Sequence, residues 1–264
     1  MKTTFGFIGC GNMGGALIRA LCRAVSPEQV KITDLAKDKA EQLAKETGAS
    51  FAEKEDIAAH CDYIYLGVKP QGMEALAGEI RETLKARTDR FVLVTMAAGI
   101  AMEKLRGWFG AYPVIRIMPN LPVSVGEGMI LWCTEDTTEE ETAVFTDAMR
   151  CAGKLLRIDE NKIDAGSAVS GCGPAYAFLF MEALADGGVR CGLSRADAMK
   201  LAAQTLLGSA EMVLRTGKHP GELKDAVCSP GGTTIEGVLA LEEGAFRADT
   251  AKAVIAAYEK TRKL

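Results

Sequence analysis

The sequence predicts an α/β protein: an N-terminal Rossmann-type doubly wound sheet followed by an all-helical C-terminal domain. Three observations carry this. Short apolar runs alternate with amphipathic helical patterns through the first half; a glycine cluster, Gly9-Cys10-Gly11-Asn12-Met13-Gly14, joins the first such run to the first helical pattern; and the strand signal ends at Asp159-Glu160-Asn161-Lys162. The expected domains are residues 1–160 and 161–264.

Taken in order, residues 4–8, 30–34, 63–68, 91–97 and 114–118 are nearly continuous apolar runs, as parallel strands buried on both faces must be. Helical patterns over 13–24, 37–47, 72–87 and 102–109 fall between them, and 129–133, a helix over 139–151 and 155–158 complete the sheet. Beyond residue 162 everything reads as helix, broken at Gly171-Cys172-Gly173-Pro174, Gly187-Gly188, Gly192, Gly217, the Ser229 turn and Gly244. Ser194 opens a helix that is Ala, Leu and Met on almost every side as far as Leu214. Such a helix has to be surrounded, and the short helical half cannot do this alone, so an intertwined homodimer is expected.

Composition narrows the function class. The net charge of −4 is spread without a basic block, so nucleic acid is not expected as a partner. The apolar stretch at residues 175–181 stops at charges well short of the ~20 residues of a membrane span, and no charged segment followed by an apolar core opens the chain. No membrane association and a cytoplasmic location are expected. Eight scattered cysteines without a CxxC pair read as reduced small hydrophobes, and two isolated histidines make no metal site, so none is expected. His60 reads as a helix C-terminal dipole partner and His219 as a cap or turn residue.

Two glycine turns stand at helix starts, where first-turn N–H groups lack intrahelical partners and the peptide dipoles add partial positive charge. In the first, Gly9 permits the tight turn, Gly11 lets a pyrophosphate approach the backbone, and Gly14 allows close packing of helix on strand. Asp34, twenty residues after Gly14, ends the second strand, where it either bonds a ribose or caps the next helix. Lys37 and Lys39 lie close enough to suit a 2′-phosphate instead, so NADPH and NADH both stay open. Lys69 and Asn120 end further strands at the same edge. The second turn, Ser229-Pro230-Gly231-Gly232-Thr233-Thr234, feeds the helical run 235–243 and is a seat for a carboxylate or phosphate. Two anion seats point to a cofactor and a small acid substrate.

These residues carry a resemblance. Phe7 to Gly14, Val68-Lys69-Pro70-Gln71, Ala97-Ala98-Gly99-Ile100, Arg116 to Asn120, Ser170 to Tyr176 and Ser229 to Thr234 occur in the order and spacing of pyrroline-5-carboxylate reductases, over nearly the whole chain. The resemblance implies reduction of 1-pyrroline-5-carboxylate to L-proline by hydride transfer from NADPH or NADH, the last step of proline biosynthesis. It implies cofactor contacts at Gly9, Gly11, Asn12, Met13, Gly14 and Asp34 from the first turn, at Val68, Lys69 and Pro70, at Ala97, Ala98 and Gly99, and at Asn120. The substrate carboxylate would be held by N–H groups of the turn containing Ser229, Gly231, Gly232, Thr233 and Thr234 at the dimer interface, with the Thr234 hydroxyl beside the ring nitrogen. Thr234 either donates or relays the proton, orients the ring while water supplies it, or caps a helix N–H. Beyond the interlocked homodimer, the family admits larger assemblies such as a decamer of dimers. Leu121, Cys172 and Leu35-Ala36 depart from common family residues, the last pair standing where many members place Arg or Ser beside the ribose. A β-hydroxyacid dehydrogenase opens similarly but needs a lysine shortly after a central glycine motif, and here none precedes Lys200. A non-catalytic cofactor sensor would have no use for the second seat.

Overall fold

The computed structural model describes residues 2–263, so the outer ends of the two expected domains lie outside the described residues. One eight-stranded sheet has the order β3-β2-β1-β4-β5-β6-β7-β8, from β1 (Phe5–Ile8), β2 (Val30–Thr33), β3 (Ser50–Phe51), β4 (Tyr63–Leu66), β5 (Val92–Thr95), β6 (Val114–Met118), β7 (Gly128–Glu135) and β8 (Gly153–Arg157). The order reverses between β1 and β4, the switch point of a doubly wound sheet. Helices α1 (Asn12–Ala24), α2 (Lys37–Thr47), α3 (Lys54–His60), α4 (Met73–Lys85), α5 (Met102–Phe109) and α6 (Glu139–Ala148) connect the strands. Strands β1, β4, β5 and β6 are buried at every position, which is why they read as unbroken apolar runs.

Alternate side chains serve two cores. Phe7, Tyr65, Val94 and Ile115 face one, with Leu17 and Leu21 of α1; Ile64, Leu66 and Leu93 face the other, with Ile80 of α4 and Leu105 of α5. Phe7 and Tyr65 are register partners whose rings stack at 4.1 Å. The Tyr65 hydroxyl is buried without a hydrogen-bond partner.

The expected sheet needs one refinement: β7 runs antiparallel to β6. Between them lies only a short 3₁₀ turn, Leu121–Val125, too short for a crossover helix, so the chain folds back on itself. The helical crossover α6 then makes β8 parallel to β7. Strand β3 is two residues long and carries no pattern to read.

Contacts divide the chain into two compact units, one of residues up to Gly171 together with those from Tyr258 onward, the other Cys172–Ala257. Helix α7 (Glu160–Ser170), which lies past the expected boundary at 160, groups with the sheet. Its Ile163 is fully buried in the second core, and the Arg116 guanidinium, almost wholly buried on β6, donates to Glu160 at 3.2 Å and Asp164 at 3.0 Å.

The other unit is helical: α8 (Gly173–Arg190), α9 (Arg195–Thr216), α10 (Pro220–Val227), α11 (Thr233–Glu243) and α12 (Phe246–Thr261), of which the last continues past Ala257. The Ser194 hydroxyl caps α9 by accepting from the Asp197 N–H at 3.1 Å, and left-handed Gly217 ends it, as the pattern predicts. Gly187-Gly188 does not break a helix; α8 runs through both. A Cβ on Gly188 would stand 3.2 Å from Ala198 Cβ and from Leu193 Cδ1, so this glycine admits close packing of α9 on α8. His219 caps α10, its Nδ1 accepting from the Gly221 N–H at 3.0 Å, and His60 ends α3 with Nδ1 2.9 Å from Asp56. The apolar stretch also runs longer than the sequence count: Glu160–Arg190 is the one helical run among the described residues long and apolar enough to match a membrane span by length and composition. Uncharged Gly, Ser, Ala and Cys residues extend the run N-terminally beyond residues 175–181.

Candidate functional site

The carboxyl ends of β1, β4, β5 and β6 bring four loops to one edge of the sheet. After β1, Gly9 has φ +116°, and a Cβ on it would come within 2.6 Å of the Gly67 carbonyl. A Cβ on Gly67 would likewise come within 2.7 Å of the Gly9 oxygen, so the loops after β1 and β4 press backbone on backbone and both positions need glycine. Gly67 thus shapes this edge: the sequence places it in the loop that follows a strand here, but the need for glycine shows only in its approach to Gly9. A Cβ on Gly14 would collide with the Gly9 carbonyl, which is the expected tight contact of helix on strand.

Gly11 is the N-cap of α1, and a Cβ placed on it would meet nothing within 4 Å. No side chain caps α1 and no acid occupies its first turn, so its leading N–H groups, near half-buried Met13 and exposed Asn12, face open space. A cavity of about 250 Å³ beside them is lined by Cys10, Gly11, Asn12, Arg19 and Lys39 among others. This bare, positively polarised helix start fits a dinucleotide pyrophosphate.

Asp34, half-buried after β2, uses both carboxylate oxygens: Oδ2 accepts from the Cys10 N–H at 2.6 Å and Oδ1 from the Ala36 N–H at 2.9 Å. It ties the glycine loop to the end of β2. Burial first, and the Asp34 charge second, push the Cys10 thiol up to about 12.

Lys69 is exposed beside half-buried Val68 and Pro70, and Ala97 is buried next to Ala98 and left-handed Gly99. The loop bearing these last residues is anchored where the Met102 N–H, at the start of α5, donates to Glu160 at 2.7 Å, the carboxylate that also holds Arg116. Asn120 is buried and both ends of its amide are engaged, donating to the Ser170 carbonyl and accepting from the Met129 N–H, both at 2.9 Å. It joins α7 to β7 within the sheet unit.

In the helical unit, the Gly232 N–H donates to the Ser229 carbonyl at 3.0 Å, and Gly231 takes φ +67°, closing a turn into α11. Gly232 is the N-cap, again without a side-chain cap. Ser229, Gly231, Thr233 and Thr234 are exposed, and an open cavity of about 310 Å³ lined by Asp225, Cys228, Ser229, Pro230, Gly231 and Ile235 lies there. The Thr234 hydroxyl makes no hydrogen bond among the described residues and sits inside α11, past the cap, so the helix does not use it as one. No group of three metal-ligating side chains occurs among the described residues.

Residues 160–264 match the family model described as pyrroline-5-carboxylate reductase dimerisation, and residues 4–99 match that of coenzyme F420-dependent NADP oxidoreductases. The chain is 42% identical over 269 residues to the pyrroline-5-carboxylate reductase of Escherichia coli K12, covering 100% of this chain and 99% of that one. It is 41% identical over 263 residues to that of Arabidopsis thaliana, covering 98% and 94%. The crystal structure of Plasmodium falciparum pyrroline carboxylate reductase with NADP bound superposes with a TM-score of 0.88 at 33% identity, covering 99% of this chain and 98% of that one. The chain belongs to the pyrroline-5-carboxylate reductase family.

Proposed function

We propose that this member of the family reduces the C=N bond of 1-pyrroline-5-carboxylate to give L-proline, the last step of proline biosynthesis, as an NAD(P)H-dependent oxidoreductase. When bound, the reduced nicotinamide supplies the hydride that adds to the imine carbon. The chain's own work is binding, orientation and proton supply. The N–H groups at the start of α1, left bare by Gly11, hold the pyrophosphate, and Gly9, Gly14, Asn12, Met13 and Asp34 shape that seat. Val68, Lys69 and Pro70, with Ala97, Ala98 and Gly99, line the rest of the cofactor's path. Asn120 supports it from behind through Ser170 and Met129.

The observation that carries the substrate reading is the second helix start without a side-chain cap. Ser229, Gly231, Gly232 and Thr233 present α11's leading N–H groups to a carboxylate, and the unengaged Thr234 hydroxyl, in the first turn of that helix, is free to donate to the ring nitrogen. A cyclic imine is most electrophilic when protonated on nitrogen, so a site without histidine suffices for this chemistry.

The protein acts as a homodimer through its helical domain, which lies within the dimerisation match over residues 160–264, and NAD(P) is held by the N-terminal domain, whose residues 4–99 match the NADP oxidoreductase model. Support comes from Cys172–Ala257, where Leu179, Leu201 and Leu207 stand exposed in the single chain. We place the enzyme in the cytoplasm, away from membrane and nucleic acid, and read a decamer of dimers as the larger assembly to look for. The test is loss of NADH or NADPH absorbance with pyrroline-5-carboxylate. Thr234→Ala is expected to lower kcat by roughly tenfold to a thousandfold at unchanged thermal stability. Unchanged turnover would move the proton source to water.

A further inference from the structure

We propose that this chain selects NADH over NADPH and that the turn Asp34-Leu35 makes the choice; the proposal rests on the cofactor reading above. The Asp34 carboxylate is fixed at the mouth of the glycine loop by the Cys10 and Ala36 N–H groups, one on each oxygen. A carboxylate has about four lone-pair sites, so each oxygen keeps one acceptor position for the hydroxyls of a ribose diol. A 2′-phosphate brought to the same place sets a second anion against one that the backbone does not let swing away.

Two neighbouring cations are already paired. Arg19 is forked on Glu46 at 2.7 and 2.8 Å, and Lys37 lies 3.6 Å from Glu53 and over the Phe51 ring. Lys39 is the one cation lining the cavity beside Gly11 that has no ion partner among the described residues, and it stands exposed on a flexible stem. Solvent screens such a charge, whereas the carboxylate is half-buried and held in place. Leu35 follows with 98% exposure. An apolar side chain gives a phosphate no donor, but it gives the flat face of an adenine a surface to cover.

Binding, rather than turnover, tests this. Calorimetric titration of the purified protein, without imine, is expected to give NADH a dissociation constant at least about tenfold below that of NADPH. Asp34→Asn, which keeps the shape and one acceptor while removing the charge, is expected to tighten NADPH and narrow or reverse the ratio. Asp34→Ser gives the same answer by a second route should the amide misplace the loop. NADPH binding as tightly as NADH to the unaltered protein, or an unchanged ratio in two variants with native circular dichroism, overturns the selectivity while leaving the cofactor reading intact. Failure of both nucleotides to bind overturns the cofactor reading and the selectivity with it.

Discussion

In the sheet unit, large side chains such as Phe7, Tyr65, Ile64 and Leu93 are enclosed by residues of that unit. In Cys172–Ala257 the buried apolar cluster comes down to Ala185, Ala198 and Ala202, while Leu179, Leu201, Leu207 and Leu214 are each more than half exposed. One unit completes its core within one chain and the other does not. Leaving a leucine in water forgoes about 1.5–3 kcal/mol, so four of them, on α8 and α9, represent stabilisation that only another surface can supply. The family's dimerisation domain covers these helices.

The contrast breaks most visibly under a charge at Leu207. Exposed in the lone chain, Leu207→Glu would there be nearly harmless; at a covered interface it places an unpaired ion in apolar surroundings and is expected to cost several kcal/mol, abolishing assembly. Size-exclusion chromatography with light scattering decides, and a soluble, active monomer would count against the dimer. Leu93→Ala, in the middle of the sheet, is expected to lower stability by about 2–5 kcal/mol in denaturant titrations while the dimer persists, because that core is complete within the chain. Tyr65→Phe sharpens the same point at small scale. Its hydroxyl is buried without a partner, so removal should leave stability unchanged or raise it by up to about 1 kcal/mol in thermal unfolding. Smallest of all, Cys10, pushed up to about 12, should resist alkylation at pH 8 in the native protein and label only after denaturation, as mass spectrometry would register.

Much of this was legible in the sequence. Strands buried on both faces announce themselves as apolar runs, and the residues 37–47, 102–109 and 114–118 form the expected elements at the expected bounds. What escaped depended on partners distant in the chain or on elements too short to have a period. Strand β3 has two residues, and the reversal of β7 follows from the length of a connection rather than from any strand residue. Gly187-Gly188 looks like a breaker until Ala198 is seen packed on Gly188. Both glycine-capped helix starts were visible as glycine turns before helices. That Asp34 holds Cys10 and Ala36, and that Asn120 holds Ser170 and Met129, was not, because side-chain hydrogen bonds leave no periodic trace.

The two uncapped helix starts, Gly11 at α1 and Gly232 at α11, are central here, and Gly232→Val separates them most directly. A side chain there obstructs the turn into α11 and leaves the α1 seat untouched, so the KM for pyrroline-5-carboxylate should rise at least about tenfold while the Kd for NADH stays within about twofold. An unchanged KM, or a Kd for NADH that rises in step with it, would contradict a substrate seat distinct from the cofactor seat.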